Sequence, residues 1–91
     1  SIYYATTKAL NIYSDVVYKP GDFIMFGKES AGIPEEILKE NKDRCIRIPM
    51  YEKYRSLNLS NSAAIVLYEG LRQNGFSGFK MEGELNRLKW D

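Results

Sequence analysis

The chain has 91 residues, 44% of them hydrophobic and 27% charged, and its 13 basic residues nearly balance its 12 acidic ones. This length allows one small domain, and the near-neutral charge excludes a global electrostatic attraction to nucleic acid. The absence of histidine and the single cysteine exclude Ser/His and Cys/His dyads and most zinc sites. No apolar run has membrane-spanning length and no secretory signal is recognisable, so we expect a cytoplasmic protein with no membrane or metal partner.

Two strands are predicted in the first part of the chain. Ile2 to Thr7 is rich in aromatic and β-branched residues, and Phe23 to Phe26 is an uninterrupted apolar run that follows a Pro-Gly turn signal. A run of the second kind is typical of a parallel strand that is covered on both faces. Between them, the apolar spacing from Lys8 to Tyr18 leaves open either a short helix or a loop with a short strand.

A turn, a helix and a third strand are predicted next. Gly27 and Gly32 allow the backbone to turn sharply and approach a ligand closely, and Pro34 suits the first position of a helix that would run to about Asn41. Arg44 to Ile48 is predicted to form the third strand, in which the lone cysteine is expected to be a buried or half-buried residue. Strand, turn, helix and strand make a βαβ unit, which implies parallel pairing and a right-handed crossover.

A polar loop follows the third strand. Five small hydrogen-bonding side chains occupy seven positions there: Ser56, Asn58, Ser60, Asn61 and Ser62. One or two of them are explained as helix caps, and the remainder favour a binding or catalytic loop. Ligands of parallel sheets bind beyond the carboxyl ends of the strands, so this loop and the turn at Gly27 are expected to converge on one site.

The helix from about Asn61 to Gln73 is apolar on more than one side, unlike a helix with a single core-facing stripe. One side is expected to cover the sheet and another to bind a second copy of the chain, with Tyr68 near the two-fold axis. Gly75 is predicted to end the helix as its C′ residue. The rest of the chain, residues 77–91, is a tail with one amphipathic turn suggested by its apolar spacing and no assigned function.

The segments FGKESAGIP and RIPMYEKYRSLNLSNSAAIVLYEGLRQ resemble motifs two and three of the SpoU branch of the SPOUT RNA 2′-O-methyltransferases, and in particular the TrmL-like enzymes of the tRNA wobble position. The resemblance covers roughly Ile2 to Phe76 and includes TTKA near the start. It implies an α/β fold with a parallel sheet, flanking helices and a deep trefoil knot, of which residues 1–76 would be the C-terminal part. It also implies S-adenosyl-L-methionine as cofactor, tRNA as substrate and a homodimer that packs through the C-terminal helix.

The resemblance assigns site residues as well. Glu29 of motif two and Ser56 and Asn58 of motif three match positions of the family's catalytic pocket, where they would orient the ribose hydroxyl and the methyl donor. The cofactor-binding positions that carry over are Ala5, Gly27, Ile48, Met50, Ser56 and Leu57. Without the family motif, Glu29 would be interpreted as a surface carboxylate in a turn.

The chain departs from the family in its extent. Family members carry about half a domain before the matching part, including a first motif whose arginine is assigned to activation of the ribose hydroxyl. The 91 residues are therefore expected to be the C-terminal half of an enzyme and to be inactive alone. The alternative is a non-catalytic module that keeps the fold for RNA binding or dimerisation, and binding of S-adenosylhomocysteine would distinguish the two.

Overall fold

The computed structural model describes residues 1–27, 32–50 and 59–91. The described strands are β1 (Ile2–Ala5), β2 (Asn11–Ile12), β3 (Phe23–Phe26) and β4 (Cys45–Arg47), and the described α-helices are α1 (Glu35–Glu40) and α2 (Leu59–Gln73). All strand pairs are parallel, in the order β2-β4-β1-β3, which confirms the predicted parallel sheet with helices. Within the described ranges, neither α-helix has the length and apolar character needed to cross a membrane.

β1 lies in the middle of the sheet, between β3 and β4. Its last residue, Ala5, is paired with Phe26 on one side and with Ile46 on the other. The predicted unit of strand, helix and strand is present as β3, α1 and β4, but its two strands are not neighbours. The connection through α1 therefore crosses β1.

The segment between β1 and β3 forms a loop with one short strand, which was the second of the two alternatives. Asn11 of β2 pairs with Ile46, and the Tyr13 N–H donates a hydrogen bond of 2.8 Å to the Arg47 carbonyl just after β2. These bonds add β2 to the free edge of β4. The segment is therefore held by the sheet and not by a helix of its own.

The two faces of the sheet carry separate cores. On one face α1 covers a cluster made of Tyr4, Ala9, Ile33, Leu38 and Cys45. On the other face α2 covers a cluster made of Tyr18, Ile46 and Val66. Cys45 and Ile46 are adjacent in β4 and point to opposite faces because successive side chains of a strand alternate. The predicted burial of the cysteine is confirmed, and burial raises the pKa of the Cys45 thiol.

The prediction that β3 is covered on both faces is wrong for the described structure. Phe23 and Met25, which share one face of β3, are 70% and 40% exposed. The physical reason is the path of α1, whose buried Leu38 packs against Tyr4 of β1 and Cys45 of β4 and leaves β3 beyond its reach. In the described part of the chain β3 pairs only with β1, so it is an edge strand.

The first helix begins one position later than predicted. Pro34 is the N-cap of α1 and not its first helical residue, because its backbone has an extended ψ of 137°. Its carbonyl still accepts the first helical hydrogen bonds, from the N–H groups of Ile37 at 3.1 Å and Leu38 at 3.3 Å. Proline is tolerated at either position, since neither requires a backbone donor.

The end of α2 confirms the predicted role of Gly75 as the C′ residue. Gly75 has a φ of 73°, and its N–H donates to the Arg72 carbonyl at 3.0 Å. The next N–H, from Phe76, reaches back to the Leu71 carbonyl at 2.8 Å. These two bonds make a Schellman motif, which stops the helix and fixes the direction in which the chain leaves it.

Polar side chains on the last turns of α2 bind the loop that precedes β3. Gln73 accepts a hydrogen bond from the Tyr18 N–H at 2.8 Å and donates one to the Val16 carbonyl at 2.9 Å. Gln73 also donates to Glu69, which Arg72 holds through two further hydrogen bonds. The bonds from Arg72 and Gln73 lower the pKa of the buried Glu69 carboxyl to about 2. This network fixes the rotation of α2 about its axis and thereby decides which of its faces stays exposed.

Candidate cofactor and catalytic site

Three predicted cofactor-binding residues meet at the carboxyl edge of the sheet. Ala5 is the last residue of β1, Gly27 directly follows β3, and Ile48 directly follows β4. The register places Ala5 between the other two, because it pairs with Phe26, which directly precedes Gly27, and with Ile46, which lies two residues before Ile48. Met50 lies two residues beyond Ile48. All four residues are half-buried, so each keeps part of its surface accessible at this edge.

The remaining predicted site residues lie outside the described residues. Glu29 falls within residues 28–31, and Ser56, Leu57 and Asn58 fall within residues 51–58. In sequence they flank the described edge, since Glu29 is two positions after Gly27 and the second segment joins Met50 to α2. Their catalytic and cofactor-binding roles stay predictions.

The structure shows why position 27 must be a glycine. A methyl group at this position would lie 2.5 Å from the Ile33 nitrogen and 2.6 Å from the Gly32 Cα. The position that a Cβ atom would occupy is therefore filled by the chain's own backbone, and the predicted contact of Gly27 with the cofactor stays a prediction. Gly32 itself has a φ of 70°, a conformation that favours glycine, and Ile33 is buried in the core. The two glycines together let the segment after residue 31 close tightly against the end of β3.

The end of β1 contains residues to which the sequence gave no individual role. The Thr6 N–H donates to the Ile46 carbonyl at 2.9 Å, and the Thr6 hydroxyl accepts a bond from the Lys8 N–H at 3.2 Å. Lys8 forms an ion pair of 2.7 Å with Glu35 at the start of α1, and this contact lowers the pKa of the Glu35 carboxyl. Both side chains are exposed, so the pair adds little stability. In the sequence, the segment TTKA, which contains Thr6 and Lys8 and is part of the family resemblance, indicated the turn that follows β1.

The chemistry of the described edge suits the adenosine part of a cofactor. Ala5, Ile48 and Met50 offer small or flexible apolar surface, and an adenine ring is flat and mostly apolar with a hydrogen-bonding edge. Residues 49 and 50 also lie outside any strand, so their backbone is not part of the sheet ladder. Among the described residues no three acidic, histidine or cysteine side chains cluster as metal ligands.

Comparison with known proteins identifies the family of this chain. The model of the SpoU rRNA Methylase family matches residues 1–68. A relative from Listeria innocua is 46% identical over 88 residues, which cover 93% of this chain and 52% of the relative. A tRNA (cytidine(34)-2′-O)-methyltransferase from Methylovorus glucosotrophus is 46% identical over 74 residues, which cover 80% of this chain and 48% of that enzyme. The chain thus spans about half the length of the curated relatives that it matches.

The fold agrees with the sequence relationship. A solved structure from Bacillus anthracis superposes with a TM-score of 0.82 at 40% identity, over 91% of this chain and 54% of the other. The parallel sheet with its flanking helices is therefore shared. The trefoil knot depends on the path between β4 and α2, which includes residues 51–58, so it stays a prediction. By the family match and the shared fold, the chain belongs to the SpoU rRNA methylase family.

Proposed function

We propose that the whole protein transfers a methyl group from S-adenosyl-L-methionine to the ribose 2′-hydroxyl of the wobble nucleotide of tRNA, in the cytoplasm. The observation that carries the proposal is the meeting of Ala5, Gly27 and Ile48 at one edge of the sheet, inside the segment that matches the family model. The name of the Methylovorus relative, a methyltransferase of cytidine 34, supports the choice of nucleotide.

The described residues suggest how the cofactor would be held. Bound S-adenosyl-L-methionine supplies an electrophilic methyl group on a sulfonium sulfur. Ala5, Ile48 and Met50 would contact its adenine through their half-buried apolar surface, and the backbone near Met50 would read the polar edge of the ring. Ser56 and Leu57, which follow in sequence, would complete this binding site.

Orientation is the main catalytic contribution that we assign to the chain's own side chains. Methyl transfer requires the attacking oxygen, the methyl carbon and the sulfur to lie in line. Holding two reactants in such a geometry can supply about 7–11 kcal/mol of the barrier. We assign this task to Glu29, Ser56 and Asn58, because a carboxylate and two small polar groups can bind the ribose and hold the acceptor oxygen.

Replacing Asn58 by alanine in the whole protein is expected to lower the rate of methyl transfer roughly 100-fold, because a misplacement of about 1 Å costs that much. The melting temperature should stay nearly unchanged. Transfer of tritiated methyl groups to unmodified tRNA and calorimetric melting measure the two effects. Asn86→Ala is a matched control, since it removes the same amide from an exposed position of the tail. A folded Asn58→Ala protein with the parental rate would remove this residue from the catalytic set.

Titration with S-adenosylhomocysteine distinguishes the two hypotheses, a methyltransferase and a non-catalytic module. We expect the whole protein to bind one equivalent per chain, measured by calorimetry. A folded protein that binds none would favour the module that keeps the fold for RNA binding or dimerisation. The result does not depend on knowing the tRNA substrate.

We also propose that two copies pack through α2. Leu67 and Tyr68 are 59% and 56% exposed, whereas their neighbour Val66 is buried in the core. The only charged residues of α2, Glu69 and Arg72, are bound to each other, so its exposed apolar face carries no unpaired charge. A two-fold axis brings the same residues of both copies together, and an uncharged face avoids like-charge repulsion there.

Leu67→Glu or Tyr68→Glu is expected to convert the proposed dimer to a monomer, because identical charges would meet close to the two-fold axis. Both positions are exposed in the protomer, so its folding should be retained. Sedimentation equilibrium measures the change in mass. Lys39→Glu changes an exposed charge on α1 and serves as the control that should stay dimeric. A parent protein that is monomeric at high concentration would contradict the proposed dimer.

A further inference from the structure

Residues 13–18 contact both of the elements that flank the predicted catalytic loop, residues 51–58. In the chain this loop lies between β4 and α2. At one end of residues 13–18, the Tyr13 N–H donates a hydrogen bond of 2.8 Å to the carbonyl of Arg47, the last residue of β4. At the other end, the same segment is bound by Gln73, the last residue of α2. Residues 13–18 are therefore a brace between the strand that precedes the loop and the helix that follows it.

The brace is fixed by its own contacts as well as by those at its ends. The Tyr18 hydroxyl donates a hydrogen bond to the Tyr13 carbonyl, which closes the segment on itself. Tyr18 is only 6% exposed, and it packs in one cluster with Ile46 of β4 and Val66 of α2. Two predicted cofactor-binding residues pack against the same cluster, namely Ala5 and Ile48.

Gln73 joins α2 to the backbone of the brace through both ends of its amide. The oxygen accepts from the Tyr18 N–H at 2.8 Å, and the nitrogen donates to the Val16 carbonyl at 2.9 Å. The same nitrogen donates to Glu69 at 2.8 Å, which determines which end of the amide faces the Tyr18 N–H. Arg72 in turn holds Glu69 through bonds of 2.8 and 2.9 Å. The amide is therefore oriented by its own helix before it binds the brace.

The helix α2 extends this constraint to the predicted catalytic loop. It has 15 residues and is about 22 Å long at the usual rise of a helix. Asn58 directly precedes Leu59, the first residue of α2. A rotation or shift of the helix therefore moves the chain at Asn58 as well. Because a misplacement of about 1 Å can lower a rate roughly 100-fold, a contact that fixes α2 affects a reaction at its other end.

We propose that Gln73 is a positioning residue for methyl transfer, which holds α2 against the brace and thereby holds both ends of the loop that carries Ser56 and Asn58. This inference rests on the function proposed above, since that function assigns catalytic groups to the loop. Gln73 acts through the helix and the brace and contacts neither the cofactor nor the ribose.

Gln73→Ala in the whole protein is expected to lower kcat at least about tenfold at saturating cofactor and tRNA. The KM for tRNA should stay near the parental value, because the variant removes no group assigned to RNA binding. The Glu69–Arg72 pair is retained in this variant, so the change is confined to the contact with the brace. Transfer of tritiated methyl groups, measured well below the unfolding transition, gives both constants.

Tyr18→Phe tests the same connection at a second point. It keeps the buried ring and removes only the hydroxyl that binds the Tyr13 carbonyl. We expect kcat to fall in this variant too. In the double variant with Gln73→Ala, the loss should be smaller than the product of the two single losses, because both changes break one connection.

Leu38→Ala is the control for stability. Leu38 is buried under α1 on the opposite face of the sheet, in a cluster that contains no residue of the brace. Truncation of a buried leucine destabilises a protein at least as much as the loss of one hydrogen-bonding side chain. We nevertheless expect Leu38→Ala to keep the parental kcat below its unfolding transition.

Amide hydrogen exchange gives a measurement that needs neither cofactor nor tRNA. In Gln73→Ala, a peptide that covers residues 51–62 is expected to exchange faster than in the parent, because the helix that follows the loop is held less firmly. The same peptide should exchange at the parental rate in Leu38→Ala. Calorimetric melting shows that both variants are folded at the temperature of the measurement.

Three results would overturn the inference. The first is a folded Gln73→Ala protein with the parental kcat. The second is an equal loss of kcat in Gln73→Ala and Leu38→Ala, since the rate would then follow overall stability. The third is unchanged exchange of residues 51–62 in Gln73→Ala. A parent protein that transfers no methyl group would instead refute the proposed function, and the exchange measurement would still decide whether Gln73 holds the loop.

Discussion

Replacing Gly27 by alanine is expected to lower the free energy of unfolding by about 3 kcal/mol, the upper end of the usual cost of overpacking. The added methyl group would lie 2.5 Å from the Ile33 nitrogen and 2.6 Å from the Gly32 Cα. Both contacts are with backbone, which cannot rotate away as a side chain can. Gly32 holds a glycine-type conformation and Ile33 is buried, so the opposing segment is also fixed.

Activity should fall with stability in this variant, since the displaced segment continues from the part of the chain that contains Glu29. Chemical denaturation of the whole protein measures the free energy, and methyl transfer below the unfolding transition measures the activity. A Gly27→Ala protein as stable as the parent would show that this segment does not close on β3 in solution.

Gly70→Ala is the matched control and is expected to change stability in the opposite direction. Gly70 lies inside α2, and its new methyl group would meet the Tyr18 Cβ at 3.7 Å, an ordinary van der Waals contact. Alanine favours a helix interior over glycine by about 1 kcal/mol. The same substitution should therefore stabilise the protein at one position and destabilise it at the other, so a general effect of alanine cannot explain both results.

The elements that the sequence predicted correctly are those with strong local signals. The aromatic and β-branched run of β1, the apolar run of β3 and the Gly75 stop of α2 each depend on residues close together in the chain. The family motifs then indicated which strand ends would carry a site. Ala5, Gly27 and Ile48 do lie at one edge, as parallel strands require.

The features that the sequence did not predict depend on contacts between distant residues. The loop before β3 is fixed by Gln73, which binds Val16 across 57 positions of the chain. The edge position of β3 follows from the strand order, which local propensity does not determine. The packing of Gly27 against the backbone of Gly32 and Ile33 was also not predicted, because a glycine indicates a close approach but does not identify the group that approaches.

Residues 1–91 alone are expected to transfer no methyl group to tRNA and to bind S-adenosyl-L-methionine weakly. Most of the predicted cofactor-binding positions are present, but Phe23 and Met25 leave an apolar strip of the edge strand β3 exposed. Exposed apolar strand edges favour self-association over a single ordered site. The chain also spans about half the length of its relatives, and the resemblance assigns hydroxyl activation to an arginine of a first motif that is not recognised in these residues.

Incubation of the purified 91-residue chain with tritiated cofactor and unmodified tRNA tests this directly, with the whole protein as the positive control. Calorimetric titration of the same sample with S-adenosylhomocysteine shows whether an absence of methyl transfer comes from weak cofactor binding or from a failure of the chemical step. Circular dichroism shows whether the sample is folded. Label in the RNA above a control without enzyme would show that the first motif is dispensable. One of the 91 residues would then have to activate the ribose hydroxyl. Glu29, Ser56 and Asn58, to which we assign only orientation, would be the first candidates for that second role.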